Sequence, residues 1–478
     1  MRQPTPLRIG NNPGWYGNHY QDQDIHVLMQ KAGNTATRYF ITLPQWEQNG
    51  MNFFTQRIKE VYEQGFRYNI YAFTNQFNTD YTNRDTTEYP AGPSQPAGTM
   101  VRTMIPKGLN LPVFLANGTV NPANSWAKYV EDGMKEHGLY FDYFEIWNEP
   151  DITYNQGEAD DPNLAHDVKS WWNRQPEPWE VWNTVCPVQD YIKLCEVGYK
   201  VIKKYKPTAK VCTGGFGFPA YGYWFHKLGG AKWYDVLSIH MYPQFYLREW
   251  SDQAGGFVYN RHSDYAMNWC IKRLKQWQDV LKQFDLLSRQ VVCSEINLPR
   301  YSQSPDVISG DMAQVNWTIK TLLKFMQHGL SRTWLFVAGE SATPPNATEF
   351  QTMGLYQNLI TATPGQEVLT GQGIACATLH KLLEDAVYDG ALTASLNLFS
   401  PRIDGVALVL PSGKKAFVLW TKTTQDMSEN VNWSYTLPPH FNTNFNVYAW
   451  NYSQTNTSTA LAGRTLNLTG SPLILVEQ

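Results

Sequence analysis

Between residues 7 and 383 the chain alternates short apolar runs with longer amphipathic ones, eight times over, and this alternation restricts its fold more than any other feature. The apolar runs fall at residues 7–10, 36–41, 67–73, 143–147, 210–214, 236–240, 290–294 and 333–338, each short enough to be a strand. The stretches between them read as helices, for example 53–64, 126–137, 191–205, 267–284 and 313–328. In one of these, Ile271, Leu274, Trp277, Val280, Leu281 and Phe284 keep the three-to-four spacing that lines one helical face. Strand and helix repeated eight times predicts a parallel sheet closed into a (β/α)8 barrel. The expected fold is therefore α/β, of the TIM-barrel type, over residues 1–383. Active sites of such barrels lie at the C-terminal ends of the strands.

Past residue 384 the rhythm changes to short alternating strands at 406–410, 416–420, 431–437, 446–450, 465–468 and 473–476. Turn clusters such as Pro411-Ser412-Gly413 separate them, which predicts a small all-β sandwich over 384–478. A chain of 478 residues is too long for one ordinary core, and a barrel plus a smaller domain accounts for it.

Two apolar runs end in the same way. Phe144-Glu145-Ile146-Trp147-Asn148-Glu149-Pro150-Asp151 leaves a carboxyl beside an amide at a strand mouth, where proline stops the ladder. Gln290-Val291-Val292-Cys293-Ser294-Glu295-Ile296-Asn297 delivers a second glutamate at the end of the seventh strand. Two carboxyl groups roughly 5 Å apart are what glycosidic cleavage with retention requires, one as proton donor and one as nucleophile. Two connections are too long to be passive linkers: 74–112, after the third strand, and 151–187, after the fourth. The second carries Glu158, Asp160, Asp161, Trp171, Trp172, Trp179 and Trp182. Both follow strands, so both are expected to overhang the reactive face and build substrate subsites.

At this point the chain resembles the clan A glycoside hydrolases, (β/α)8 enzymes whose two catalytic glutamates follow strands four and seven. Trp147-Asn148-Glu149-Pro150 matches the clan's Asn-Glu-Pro motif, and Ser294-Glu295 stands where the nucleophile belongs. The resemblance implies Glu149 as acid/base, Glu295 as nucleophile, and Asn148 as the group that hydrogen-bonds the sugar 2-hydroxyl. Arg38 on strand two resembles the clan arginine beside the nucleophile. His240 and Tyr242, in Ser238-Ile239-His240-Met241-Tyr242-Pro243, resemble the His-x-Tyr motif, whose tyrosine contacts the nucleophile. Trp334 resembles the tryptophan that floors the cleaving subsite. Barrel plus sandwich is most like family 39, with families 5, 30 and 51 as neighbours. Family 5 members usually carry a histidine near the end of strand three, where this chain has Tyr71-Ala72-Phe73-Thr74-Asn75.

Composition excludes other classes. A net charge of -3 with 17% charged residues lacks the basic stripe that nucleic acid requires. Aromatics make up 14% of the chain, with 18 Trp and 28 Tyr, which suits stacking on the apolar faces of sugar rings. The ten histidines show no metal-site spacing, and Gly214-Gly215-Phe216-Gly217-Phe218 lacks the Lys-Ser/Thr of a phosphate loop, so no metal and no cofactor are expected. Those glycines suit a tight backbone at the fifth strand mouth. Six scattered cysteines read as buried thiols, with a disulfide between Cys186 and Cys195 left open. No run is long enough to enter a membrane, and Met1-Arg2-Gln3-Pro4-Thr5-Pro6-Leu7 lacks the apolar core of a signal peptide. The expected location is secreted or periplasmic, with the chain starting at a mature end, and the alternative is cytoplasmic.

The expectation is a retaining glycoside hydrolase acting on an oligo- or polysaccharide by double displacement. A transglycosylase using the same residues and an inactive carbohydrate-binding barrel are its rivals. The motifs belong to the whole clan and select no single sugar, linkage, mode of attack or oligomeric state. Within the sandwich, Trp433 and Trp450 are the exposed-looking aromatics, and packing against the barrel is the expected role over binding sugar.

Overall fold

A computed structural model describes residues 5–75, 81–154, 159–160, 169–398 and 401–478. Eight parallel strands close into a barrel: β1 (Ile9–Gly14), β2 (Ala36–Thr42), β3 (Ile70–Thr74), β4 (Tyr143–Ile146), β5 (Lys210–Cys212), β6 (Val236–Met241), β7 (Gln290–Ile296) and β8 (Arg332–Gly339). Their order around the barrel is β1-β8-β7-β6-β5-β4-β3-β2, so each strand lies beside its sequence neighbour. That order follows from right-handed strand-helix-strand crossovers, each of which sets a strand beside its predecessor. Strands β3, β4 and β6 are buried along their whole length, as expected where barrel interior and surrounding helices cover both faces.

By contact density the chain groups into two compact units. One comprises Thr37–His240 and Gln276–Ser294. Within it Arg38 pairs with Ile70, Ile70 with Tyr143, Tyr143 with Lys210 and Cys212 with Val236, all in parallel register. The other comprises Met1–Ala36, Met241–Lys275 and Glu295–Gln478. In it β1 runs alongside β8, with Ile9 opposite Thr333 and Gly10 opposite Trp334.

The change from parallel to antiparallel pairing falls between the helix Gly371–Leu383 and the next strand, β9 (Val387–Tyr388). Seven strands follow: β10 (Ile403–Val409), β11 (Lys415–Thr421), β12 (Asn432–Thr436), β13 (Phe445–Tyr448), β14 (Ser458–Ala460), β15 (Thr465–Thr469) and β16 (Leu473–Glu477). Six of the eight form one sheet, β9-β10-β11-β16-β13-β14, while β12 and β15 form the second. Phe417, Leu419, Phe445 and Leu475 of the first sheet share a core with Tyr435, Leu466 and Leu468 of the second, which makes a sandwich. Polar contacts tie it to the barrel helices of its own unit. Asp264, buried at the start of the helix Ser263–Gln283, receives Thr423 N at 2.7 Å, Lys320 Nζ at 2.9 Å and Trp420 Nε1 at 3.2 Å. With the Thr423 hydroxyl at 2.8 Å as a fourth donor, this buried carboxylate fixes a docking register that apolar contact alone leaves free to slide.

Two expectations are corrected. All six cysteines are free and buried, so Cys186 and Cys195 form no disulfide. Cys195 lies eight residues into the helix Val188–Tyr205, so about 10 Å of helical rise separates it from the helix start next to Cys186, beyond disulfide reach. Trp334 is the other. It sits third in β8 and is fully buried, and a Cβ on Gly10 would come within 2.3 Å of its ring. The indole fills the barrel beneath the strand mouth, against a glycine that leaves it room, and does not floor an open subsite. Among the described residues no helix is long and apolar enough to cross a membrane.

Candidate active site

The acid side is built on strained backbone. β4 ends at Ile146, and both Trp147 (φ 74°) and Glu149 (φ 45°) adopt the left-handed conformation that non-glycine residues avoid, at a cost of about 1–3 kcal/mol each. Neighbours hold them there. Trp147 N donates to Phe73 O at 2.7 Å, and Glu149 N donates to Gly214 O at 2.6 Å. Asn183, from the connection after β4, donates to the carbonyls of Asn148 and Glu149, both at 3.1 Å, and accepts Trp147 Nε1 on its own carbonyl at 3.0 Å. The two reversed residues lift the Glu149 carboxyl off the strand axis and leave it 14% exposed.

Behind Glu149 lies a buried chain of polar groups. His240 Nδ1 is 3.0 Å from Glu149 Oε1, and its Nε2 is 2.9 Å from Ser294 Oγ. Ser294 Oγ lies 2.7 Å from Ser238 Oγ and donates to Glu145 Oε1 at 2.7 Å. Arg38 Nε reaches Glu145 Oε2 at 2.7 Å, and Arg38 Nη2 reaches Asn148 Oδ1 at 2.6 Å. Glu145, Ser294 and Ser238 are fully buried, and an isolated charge there would be prohibitive, so Arg38 with Glu145 form a pair that stands or falls together. Gly215 makes space for this chain: its φ is +68°, and a Cβ there would lie 2.1 Å from His240 Nε2.

Asp151, two residues after Glu149, is fully buried and takes Phe218 N at 2.7 Å and Gly217 N at 3.2 Å on its two oxygens. Burial dominates and pushes its carboxyl up to about 7, against the two amide donors. It pins the β5 loop to the segment that carries the acid.

On the nucleophile side Glu295 is the sixth residue of β7 and nearly buried. Tyr242, one residue beyond β6, donates its hydroxyl to Glu295 Oε1. Asn297 anchors the strand end: its amide nitrogen donates to the carbonyls of Phe336 and Met353, and Gln372 Nε2 donates to its oxygen at 2.7 Å. The aromatic lining comes from Phe336, two residues past Trp334, whose ring lies 5.3 Å from Trp15 and 6.2 Å from Tyr242. Phe350 stands 5.1 Å from Tyr242, and Trp15 is 48% exposed, so this wall runs from the tyrosine out to solvent.

The structure thus puts Arg38, Asn148, Glu149 and His240 in one network, sets Tyr242 on Glu295, and leaves Trp334 beneath. Sequence reasoning missed the partnership of Arg38 with Glu145 and the parts played by Ser294, Asn183, Asp151 and Phe336. One signal was available: Glu145 is a charge in the middle of an apolar strand, a position that demands a buried partner. Of the carboxyls in the connection after β4, Glu158 and Asp161 lie outside the described residues, while Asp160 accepts Ala220 N at 2.8 Å in the first turn of the helix Pro219–Lys227. The two long connections meet, with Met104 N donating to Thr184 O at 2.8 Å, and Tyr89, Trp179 and Trp224 line a cleft of about 580 Å³ beside them.

No protein-family model and no curated protein matches the chain by sequence. Solved structures match it by shape. A family 39 glycoside hydrolase from the gut symbiont Bacteroides cellulosilyticus WH2 is 17% identical, with a TM-score of 0.61 over 99% of this chain and 81% of that one. The catalytic domain of the family 30 xylanase C from Talaromyces cellulolyticus is 12% identical, with a TM-score of 0.53 over 100% of this chain and 98% of that one. A family 51 α-L-arabinofuranosidase from Bifidobacterium longum is 12% identical, with a TM-score of 0.56 over 99% and 96%. At these identities the likeness establishes the fold alone, an eight-stranded parallel barrel followed by a β-sandwich.

Proposed function

We propose that this chain is a retaining glycoside hydrolase that cleaves an oligo- or polysaccharide by double displacement, with Glu149 as acid/base and Glu295 as nucleophile. The observation that carries the reading is the pairing at the strand mouths: a glutamate after β4 hydrogen-bonded to His240, and a glutamate in β7 receiving a tyrosine hydroxyl. A hydroxyl donor suits a carboxylate about to attack, because it orients the attacking oxygen while that group carries charge. In the first step Glu295 bonds to the anomeric carbon as the glycosidic bond breaks, and Glu149 passes its proton to the departing oxygen. In the second, water attacks that carbon, its proton goes to Glu149, and the electron pair of the glycosyl ester returns to Glu295.

Arg38 gives Asn148 its role. By donating to Oδ1 it fixes the flip of the amide, so Nδ2 is the face offered to a sugar 2-hydroxyl. Phe336, Trp15 and Phe350 supply apolar faces for sugar rings, and the connections after β3 and β4 supply subsites further out. The barrel of 1–383 carries the chemistry, and the sandwich of 384–478 braces its helices. Arg402 sits 4.4 Å above the ring of Trp433, which occupies a face that a sugar would otherwise use.

A panel of aryl glycosides run beside polysaccharides, with and without a chelator, tests the reading. Turnover unaffected by chelation is expected, and no turnover on any glycoside overturns it. Product analysis with an added acceptor sugar separates hydrolysis from transglycosylation.

A further inference from the structure

The hydrogen-bond directions behind Glu149 decide more than its position. Glu145, paired with the Arg38 guanidinium, offers acceptors only, and Ser294 has a single hydroxyl hydrogen, which it donates to Glu145 Oε1 at 2.7 Å. The Ser294 oxygen must then accept from its other partners, Ser238 at 2.7 Å and His240 Nε2 at 2.9 Å. His240 therefore carries its hydrogen on Nε2, and a neutral imidazole in that form presents a lone pair on Nδ1, 3.0 Å from Glu149 Oε1. A lone pair facing a carboxyl is satisfied when that carboxyl bears the hydrogen, and is repelled when it does not.

The geometry points to Glu145 and Ser294 as positioning residues that set the tautomer of His240, so that its Nδ1 holds the hydrogen of Glu149 in the resting enzyme. This rests on Glu149 being the acid/base. The hydrogen stays on Glu149, directed at His240 Nδ1, until the glycosidic oxygen competes for it. When the C–O bond breaks, that oxygen leaves with the proton as an alcohol, and Glu149 is left as a carboxylate opposite a lone pair. The unfavourable contact is relieved when Glu149 takes a proton from the water that attacks the glycosyl-enzyme, as Glu295 recovers its electron pair. One buried serine thus favours both halves of the cycle. The other titratable and charged groups are Arg38 on β2, Glu145 on β4 and Asp151 just beyond the acid, with Glu295 inside β7 and Tyr242 one residue past β6.

The test is nitrogen NMR of the full chain labelled at histidine, with the His240 signal identified by its loss in His240→Asn. The wild type is expected to show Nε2 protonated and Nδ1 bare. Glu145→Gln reverses the chain: Arg38 keeps the amide oxygen, the amide nitrogen donates to Ser294, and the serine hydrogen turns to Nε2, which moves the His240 hydrogen to Nδ1. The same variant, and Ser294→Ala, are expected to lose activity at least about ten-fold more on substrates with poor leaving groups than on activated aryl glycosides, as loss of acid assistance does. Ser294→Thr, which keeps a hydroxyl, restores both the wild-type tautomer and the wild-type ratio. A wild type with Nδ1 protonated, or a Glu145→Gln protein with unchanged tautomer and unchanged leaving-group ratio, overturns the inference. The NMR arm needs no turnover. A protein that cleaves no glycoside therefore defeats the proposed activity, while a wrong tautomer in an active enzyme defeats this inference alone.

Discussion

Tyr242 donates its hydroxyl hydrogen to Oε1 of Glu295, and His240, two residues earlier on the same extended segment, binds Oε1 of Glu149. Residues i and i+2 of an extended chain project to one side, so the end of β6 contributes one polar contact to each glutamate. The two contacts differ in kind. A phenol can donate to a carboxylate, whereas an imidazole with Nδ1 bare can only accept.

That difference predicts unequal mutants. Tyr242→Phe removes a donor from the attacking carboxylate and leaves a ring of the same shape, so glycosyl-enzyme formation is expected to slow about 10- to 100-fold, the value of one hydrogen bond to a charged group. Glu295→Ala removes the nucleophile itself and is expected to lower kcat by several orders of magnitude in a folded protein. Pre-steady-state release of an activated aryl alcohol checks both, and near-wild-type rates in folded Glu295→Ala would dismiss the assignment.

Gly215 is the tightest point of the network. Its φ of +68° and the 2.1 Å approach of a Cβ to His240 Nε2 mean that Gly215→Ala strains the backbone and pushes the imidazole off Ser294. A stability loss of about 1–3 kcal/mol is expected, with a fall in kcat. Gly217 lies two residues on, where a Cβ meets nothing within 4 Å, so Gly217→Ala serves as the control. Thermal melts and rates measured together check the pair; equal behaviour of the two variants would show that His240 is not confined as described.

The barrel was legible because strands such as β3 are apolar on both faces, a pattern few other elements produce. Strand ends were less so. β1 continues through Asn11 and Asn12, whose polarity suggests a turn, because both are buried and Asn12 Nδ2 donates to Leu335 O at 3.1 Å. Strands β9 and β14, of two and three residues, are too short for any alternation to register, and every residue of β14 is exposed. At the site, Glu149, Glu295, Asn148, His240 and Tyr242 could be found because each belongs to a local motif. The Glu145–Ser294 contact spans 149 positions and the Arg38–Glu145 contact 107, so no local pattern encodes either. Trp334 was misplaced for a related reason: sequence gives the parity of a residue along a strand but not its depth, which the β1 register fixes through Gly10.

Asp151 predicts a pH dependence of stability. Its carboxyl is raised from 3.8 to about 7, chiefly by burial. Below pH 4 both folded and unfolded forms hold the proton and the group contributes no slope. Between about pH 4 and 7 the unfolded chain has released the proton while the folded chain retains it, so stability falls as pH rises, by up to about 1.4 kcal/mol per pH unit, and levels off above 7. Asp151→Asn removes the titration but leaves an amide facing the Gly217 and Phe218 N–H groups, at a cost that does not vary with pH. Denaturation midpoints of wild type and variant, subtracted across that window, are expected to diverge with pH. A constant difference would mean that Asp151 does not titrate there.

The stereochemical outcome tests the whole reading, because it depends on the separation of two carboxyl groups rather than on either one. If Glu149 and Glu295 work across one glycosidic bond at the short spacing, no room remains for an inverting water, and the second carboxylate must attack carbon. The first product is then expected to keep the anomeric configuration of the substrate, as followed by proton NMR before mutarotation. Glu149→Ala adds an independent arm. It is expected to cost about 10²–10⁴ in rate on substrates with poor leaving groups and far less on activated aryl glycosides, whose departure needs no proton. Since the glycosyl-enzyme still forms from such substrates, a small anionic nucleophile such as azide is expected to intercept it and give the glycosyl azide with retained configuration. An inverted first product in the wild type, or equal losses on both substrate classes in Glu149→Ala, would mean that these two glutamates are not the working pair.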